Sequence, residues 1–144
     1  MIHALRSGLA ALALAASLNA AGAAGETTAF TARLSGASEV PANTAPGTGT
    51  VTATYDPASK MLAWQGSYSG LTGPVTAAHF HGPAEAGKNA GVLIPATVTA
   101  SPFSGSAALD DAKAADLIAG RLYFNIHTGE NPKGEIRGQV EKAP

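Results

Sequence analysis

The sequence predicts an all-β protein, an antiparallel β-sandwich of seven or eight short strands with one short helix. Segments of alternating apolar and polar residues recur at intervals of roughly 8–12 residues, which is the strand spacing of such folds. The 17 glycines and 9 prolines of the 144 residues gather between these segments, where turns are required. Charged residues make up 13% of the chain and cysteine is absent, so packing alone has to hold the domain together.

Three strands are predicted in the first half of the domain. Apolar residues alternate with polar ones over residues 30–34, and this period of two is typical of a strand with one buried face. Residues 35–47 include two prolines and form a predicted loop. Two further strands follow over residues 49–55 and 61–68, and the short turn between them predicts a hairpin.

The second half is predicted to add the remaining strands and the helix. The strands span residues 75–81, 92–99, 102–107, 121–128 and 134–140. Pro95 indicates an edge strand or a bulge, because proline has no N–H to give to a neighbouring strand. The helix is predicted between Asp110, a preferred N-cap residue, and Gly120, which lies where a glycine commonly ends a helix. Its apolar face would contain Ala114, Leu117 and Ile118.

The first 24 residues have the three parts of a secretory signal peptide. Arg6 supplies a positive charge, residues 9–18 form an apolar run, and Ala21-Gly22-Ala23 resembles a cleavage site. The run is shorter than the about 20 residues that a membrane-spanning helix needs. We therefore expect cleavage within residues 20–25, which leaves a protein without a membrane span in the periplasm or outside the cell. An uncleaved membrane anchor is the alternative.

Composition and motifs exclude several classes of function. The sequence has no cluster of Lys and Arg, so we do not expect it to bind nucleic acid. It has no cysteine for thiolate chemistry, no G-x-S-x-G serine motif, and no phosphate-binding or dinucleotide-binding glycine motif. The acidic residues are scattered over turns and the helix, and no catalytic residue is predicted. The sequence therefore favours a protein that is not an enzyme.

Three of the 4 histidines follow the signal segment, and they form the candidate site. His79 and His81 lie on one face of a predicted strand, about 6–7 Å apart, and His127 lies in another strand. Phe80 takes the core side between them, which leaves the histidines facing outward. Three imidazoles can chelate one ion, and imidazole ligands suit copper, zinc or nickel. Alternatively, the histidines hydrogen-bond backbone groups and hold the glycine-rich loops.

Two other strands place polar side chains on the face opposite the core. Asn125 shares this face with His127, and Glu135 shares it with Arg137 in the last strand. If the strands are neighbours, these residues form one polar patch near the histidines. A short turn joins the last two strands, so we expect those two to be adjacent. Glu135 is then the candidate to orient a histidine ring, and an ion pair between Glu135 and Arg137 is the alternative.

Four motifs resemble those of the CHRD (chordin) domain family. They are F-x-A-x-L-S-G-x-x-E-V-P from residue 30, A-A-H-F-H-G from residue 77, G-x-L-Y-x-N-x-H-T from residue 120, and N-P-x-G-E-I-R-G-Q from residue 131. The resemblance implies one CHRD domain over residues 28–141. It also implies a role as a binding or structural module, since CHRD domains occur as repeats in an extracellular growth-factor antagonist and as single exported bacterial proteins. This sequence resembles the bacterial type, with an unknown extracytoplasmic partner.

The H-x-H strand is also similar to one in copper,zinc superoxide dismutase. Both resemblances imply an immunoglobulin-like or superoxide-dismutase-like β-sandwich. The second adds an alternative function, a copper (or zinc) site at His79, His81 and His127 with Arg137 nearby, and with redox or dismutase-like activity. The sequence lacks the cysteine pair of the dismutase and its further metal-binding histidines.

Overall fold

The computed structural model describes residues 25–144. The predicted signal peptide, residues 1–24, lies outside this range. Within the described range, none of the helices has both the length and the apolar character that crossing a membrane would require.

Residues 25–144 form eight β-strands, one α-helix and one short 3₁₀ helix at Gly36–Ser38. The strands are β1 (Thr28–Ser35), β2 (Thr48–Asp56), β3 (Met61–Ser69), β4 (Val75–His81), β5 (Val92–Ala96), β6 (Phe103–Ala108), β7 (Leu122–Thr128) and β8 (Ile136–Lys142), and the helix is α1 (Asp111–Ile118). The prediction of an all-β fold with one short helix is confirmed.

All eight strands belong to one antiparallel sheet in the order β5-β4-β7-β8-β1-β2-β3-β6. The sheet curls until strands from its two ends meet across the core. The rings of Phe103 in β6 and Phe124 in β7 stack with centroids 5.8 Å apart. Trp64 in β3 meets Phe80 in β4 edge-on at 5.1 Å. The two halves of the curled sheet therefore pack face to face, in the manner of the predicted sandwich.

Strand pairing agrees with the sequence pattern at most positions. β2 and β3 form the predicted hairpin, and β5, which contains Pro95, is an edge strand as expected. Most predicted strand boundaries are one or two residues away from the observed ones, and two of the differences concern the start of β8 and the end of β5. β5 ends at Ala96, three residues before the predicted end. β8 begins at Ile136 and not at residue 134, because Gly134 has a φ of +129°, which is incompatible with a regular strand.

The helix follows its predicted capping residues. The Asp110 side chain accepts a hydrogen bond from the Lys113 backbone N–H at 2.8 Å, and Gly120 follows the helix with a φ of +72°. Leu117 is fully buried, as the predicted apolar face requires. Ile118 is 44% exposed, so its place on that face was wrong. It is the last residue of the helix.

β7 is covered on both faces, and this feature shapes the candidate site. Its apolar side chains fill the core, while Tyr123 and Asn125 on the opposite face are also only 3% exposed. The loop of residues 82–91 covers that opposite face, where the Tyr123 hydroxyl contacts Ala90. The same loop buries His81, which is 8% exposed. The expectation that the polar face points outward to solvent is therefore wrong at these positions.

Candidate metal-binding site

The candidate site lies on the non-core face of β4 and β7, which are adjacent and antiparallel. His79 is opposite Asn125 and His81 is opposite Tyr123 in this pair, and His127 lies two residues beyond Asn125. Side chains alternate between faces with a period of two on both strands, so the three rings project to the same side. The sequence left the pairing of the His79 strand open. The structure brings the three histidines together.

The three rings converge closely enough to share one ion. Each offers a nitrogen, and these nitrogens lie within 4.8 Å of one another. The closest pair is His79 Nδ1 and His127 Nε2, at 3.3 Å. His127 Nδ1 is 3.0 Å from the Pro132 carbonyl oxygen, which accepts a hydrogen bond. This bond places the proton of His127 on Nδ1, so the Nε2 lone pair can either accept a hydrogen bond from His79 Nδ1–H or bind an ion.

These distances suit a metal with histidine ligands. Two imidazole nitrogens bound at about 2.0–2.1 Å, the usual zinc–nitrogen distance, are roughly 3.3 Å apart when the angle at the metal is tetrahedral. The separation of 3.3 Å between His79 and His127 already has this value. Nitrogens bound to one ion at that distance can be no more than about 4.2 Å apart. The wider separations in the cluster, up to 4.8 Å, therefore have to close by at least about 0.6 Å on binding.

His81 has an oxygen atom beside each ring nitrogen. Nδ1 is 3.0 Å from the Ala90 carbonyl oxygen, and Nε2 is 2.9 Å from Asn125 Oδ1. A neutral imidazole carries one N–H, so only one of these oxygens receives a hydrogen bond. The other nitrogen then has a lone pair that faces an oxygen lone pair, and no hydrogen lies between the two atoms. A cation approaching that nitrogen would satisfy it.

Burial favours the neutral form, which a metal requires, in two of the three rings. Desolvation lowers the pKa of His79, and the nearby His127 and His81 rings lower it further. Desolvation also lowers the pKa of His81, against the opposing effect of its hydrogen bonds with Ala90 and Asn125. Both rings therefore hold their lone pairs to lower pH than a free imidazole does.

Arg137 belongs to the same buried region as the histidines but does not pair with Glu135. Its guanidinium carbon lies 3.4 Å from the centre of the Tyr123 ring. Its nitrogens donate to Asn89 Oδ1, at 2.8 Å, and to the Lys88 carbonyl oxygen. In the part of the chain that the structure describes, the ion pairs are Lys60–Asp111, Lys113–Asp110 and Arg121–Asp116. The alternative of a Glu135–Arg137 ion pair is therefore wrong.

Glu135 is fully buried and its carboxylate serves a neighbouring turn. It accepts hydrogen bonds from the Thr72 N–H at 2.7 Å, the Thr72 hydroxyl at 2.8 Å, the Thr128 hydroxyl at 2.5 Å and the Asn131 amide at 3.2 Å. Burial by itself would raise the pKa of Glu135, but these hydrogen bonds outweigh it and lower the pKa. No histidine is among these partners, so the structure does not support Glu135 as the group that orients a ring. Backbone carbonyls and Asn125 take that place.

The CHRD domain family matches residues 30–140, which include most or all of each strand and the three histidines. The chain belongs to the CHRD domain family. No curated protein and no solved structure matches the chain.

Near Arg137, the CHRD domain has a further buried acidic residue, which lies within the loop predicted over residues 35–47. Glu39 is 8% exposed, and burial raises its pKa to about 7, against the lowering effect of the Arg137 charge. Its Oε1 has no hydrogen-bond partner. A carboxylate between small residues and proline in a loop was the available signal, in the E-V-P part of the opening motif. Its burial depends on the fold of the loop, which the sequence pattern does not reveal.

Proposed function

We propose that this CHRD domain is a non-catalytic metal-binding module in which His79, His81 and His127 bind one transition-metal ion. The observation that carries the proposal is the convergence of three imidazole nitrogens within 4.8 Å, with the closest pair at 3.3 Å. Carbonyl oxygens at Ala90 and Pro132 support it, because such contacts set the tautomer and orientation of metal-binding histidines.

The ligands favour copper, with zinc as the second choice. All three are imidazoles, and the nearby carboxylate of Glu135 is occupied by hydrogen bonds. Imidazole suits zinc, copper and nickel, and Cu²⁺ binds most strongly among the divalent ions of this series. Calcium and magnesium prefer oxygen ligands and do not fit the set.

Metal titration tests the proposal. The purified protein is stripped of metal with a chelator. Separate samples are then titrated with CuCl₂ and with ZnCl₂ in an isothermal calorimeter. We expect one ion per chain, and loss of that binding in His79→Ala and His127→Ala. Glu130→Ala is the matched control, because it removes an exposed carboxylate from the turn beside His127 and leaves the imidazoles in place. Absence of stoichiometric binding, or binding that survives both histidine variants, would reject the proposal.

We further propose that the module works outside the cytoplasm. Arg6, the apolar run over residues 9–18 and the small residues that follow support export by a cleaved signal peptide. The absence of cysteine is compatible with an oxidising compartment. Mass spectrometry of the protein recovered from the extracytoplasmic fraction is the test. A new N-terminus within residues 20–25 is expected, and an intact N-terminus would reject cleavage.

A further inference from the structure

Three planar groups form a buried column beside the candidate metal site. The rings of His81 and Tyr123 are parallel, with an interplanar angle of 2° and centroids 4.8 Å apart. The guanidinium carbon of Arg137 lies 3.4 Å from the centre of the same Tyr123 ring. β4 and β8 flank β7 on its two sides, so His81 and Arg137 reach Tyr123 from opposite strands. All three residues are at most 8% exposed.

The same three residues hold one short segment of the covering loop. Arg137 donates hydrogen bonds to the Lys88 carbonyl oxygen and to the side chain of Asn89. The Tyr123 hydroxyl donates to the Ala90 carbonyl oxygen at 3.1 Å and accepts from the Ala90 N–H at 3.2 Å. His81 Nδ1 lies 3.0 Å from that same carbonyl oxygen. The position of residues 88–90 and the orientation of the His81 ring are therefore determined together.

This arrangement uses properties that only arginine combines. A guanidinium is planar, so it can stack on a ring while its edge donates several hydrogen bonds at once. Burying a cation is costly unless it is well partnered. Here the guanidinium lies on the face of the Tyr123 ring and donates hydrogen bonds to the Lys88 carbonyl oxygen and the Asn89 amide oxygen. Glu39 adds an opposite charge. Tyr123 and the segment of residues 88–90 connect Arg137 to His81, and neither belongs to the proposed metal ligands.

We infer that Arg137 and Tyr123 are positioning residues for His81, which hold its ring at the angle from which it binds the metal. This inference rests on the proposed metal site. The largest separation between the nitrogens has to shorten by at least about 0.6 Å on binding. The stack on Tyr123 and the contact with the Ala90 carbonyl restrict the orientation of the His81 ring during that movement. Loss of the clamp would leave the ligand present but badly oriented.

Copper affinity and the electron paramagnetic resonance spectrum of bound Cu²⁺ test the inference. Arg137→Lys retains the positive charge but loses the planar stack and the forked hydrogen bonds. We expect it to bind copper about 10–100 times more weakly, the usual effect of changing a residue that supports a ligand, and to change the Cu²⁺ spectrum. Arg121→Lys is the matched control. The Arg121 side chain pairs with Asp116 of the helix, and the hydrogen bond that its backbone carbonyl accepts from Ala84 does not depend on the side chain, so affinity and spectrum should stay unchanged.

A second pair of variants keeps the test valid if Arg137→Lys does not fold. Tyr123→Phe retains the ring stack and loses only the hydroxyl, whereas Tyr123→Leu removes the stack. We expect Tyr123→Leu to alter the Cu²⁺ spectrum more than Tyr123→Phe, which loses only the two hydrogen bonds of the hydroxyl with Ala90. Circular dichroism checks the fold of each variant.

The outcomes separate this inference from the proposed function. If the original protein binds no copper, the proposed function fails. If it binds copper through the histidines, but folded Arg137→Lys and Tyr123→Leu keep its affinity and spectrum, the positioning role is wrong and the metal site stands. A weaker affinity with a changed spectrum in the folded variants supports the positioning role.

Discussion

His79 and His127 bring Nδ1 and Nε2 to within 3.3 Å although the two residues are not opposite each other in the sheet. His79 is opposite Asn125, and His127 is opposite Ala77. They are diagonal neighbours on two antiparallel strands, which long side chains can bridge. His81 then supplies the third ring from the next position on the same face of β4. One strand pair thus presents the whole candidate site, and its register determines the site.

Metal should stabilise the folded protein, since the three imidazoles converge only in the fold. With free copper or zinc at about 100 times the dissociation constant, linkage predicts ~2.7 kcal/mol of added stability. For a domain of this size that raises the melting temperature by about 10 °C. Scanning calorimetry with and without metal measures the shift, which a chelator should reverse and His79→Ala should abolish. An equal shift with magnesium would contradict a histidine site.

Glu39 should make the protein less stable as the pH rises. Burial raises its pKa in the folded state to about 7, from an ordinary value of 4.5. Between these values the unfolded chain gives up the proton first, so the free energy of unfolding falls with pH, by up to ~3 kcal/mol in total. Glu39→Gln removes the charge, so we expect it to be more stable than the original protein at pH 8 and similar at pH 4. Urea denaturation at both pH values is the measurement.

Over part of this pH range, His79 and His81 change the free energy of unfolding in the direction opposite to that of Glu39. Their pKa values are lowered in the folded state, so the unfolded chain binds protons first as the pH falls through 6.5. Their contribution to stability is therefore lost in acid. In Glu39→Gln the opposing effect of Glu39 is removed, so the free energy of unfolding should rise from pH 5 to pH 7. A flat or falling profile in that variant would contradict the assignment.

Gly134 should not tolerate alanine. Its φ of +129° is strained for any residue with a side chain, and a Cβ at this position would lie 2.5 Å from Glu39 Oε1. We expect Gly134→Ala to lower the free energy of unfolding by about 2–4 kcal/mol. Gly129→Ala in the same turn is the control, because its Cβ would have no atom within 4 Å. Similar losses in both variants, measured by urea denaturation, would contradict this account.

Glu135→Gln should weaken the fold and leave metal binding intact. The carboxylate accepts hydrogen bonds from Thr72, Thr128 and Asn131, and an amide would turn an N–H₂ group toward some of these donors. Leaving a buried group unsatisfied costs about 1–3 kcal/mol. We expect a loss of this size in the free energy of unfolding, with unchanged copper affinity in the folded variant. Weaker copper binding would instead return Glu135 to the role of orienting a ligand.

The sequence by itself determined the elements of this protein. The period of two along the strands, the prolines and glycines between them, and the Asp110 cap are local features, so they predicted the strand segments and the helix. The motifs placed the chain among CHRD domains. The three histidines were found as a candidate set because a strand places residues two apart on one face.

Only the tertiary structure decided which strands are neighbours and which loops cover them. The pairing of β4 with β7 brings His127 to His79, and the loop of residues 82–91 buries His81. Glu135 and Arg137 lie two residues apart, yet their side chains serve different clusters. Such contacts join residues far apart in the chain, and their energies depend on burial and geometry that no local pattern contains. The sequence therefore determined the members of the site, and the packing of sheet and loops decided their roles.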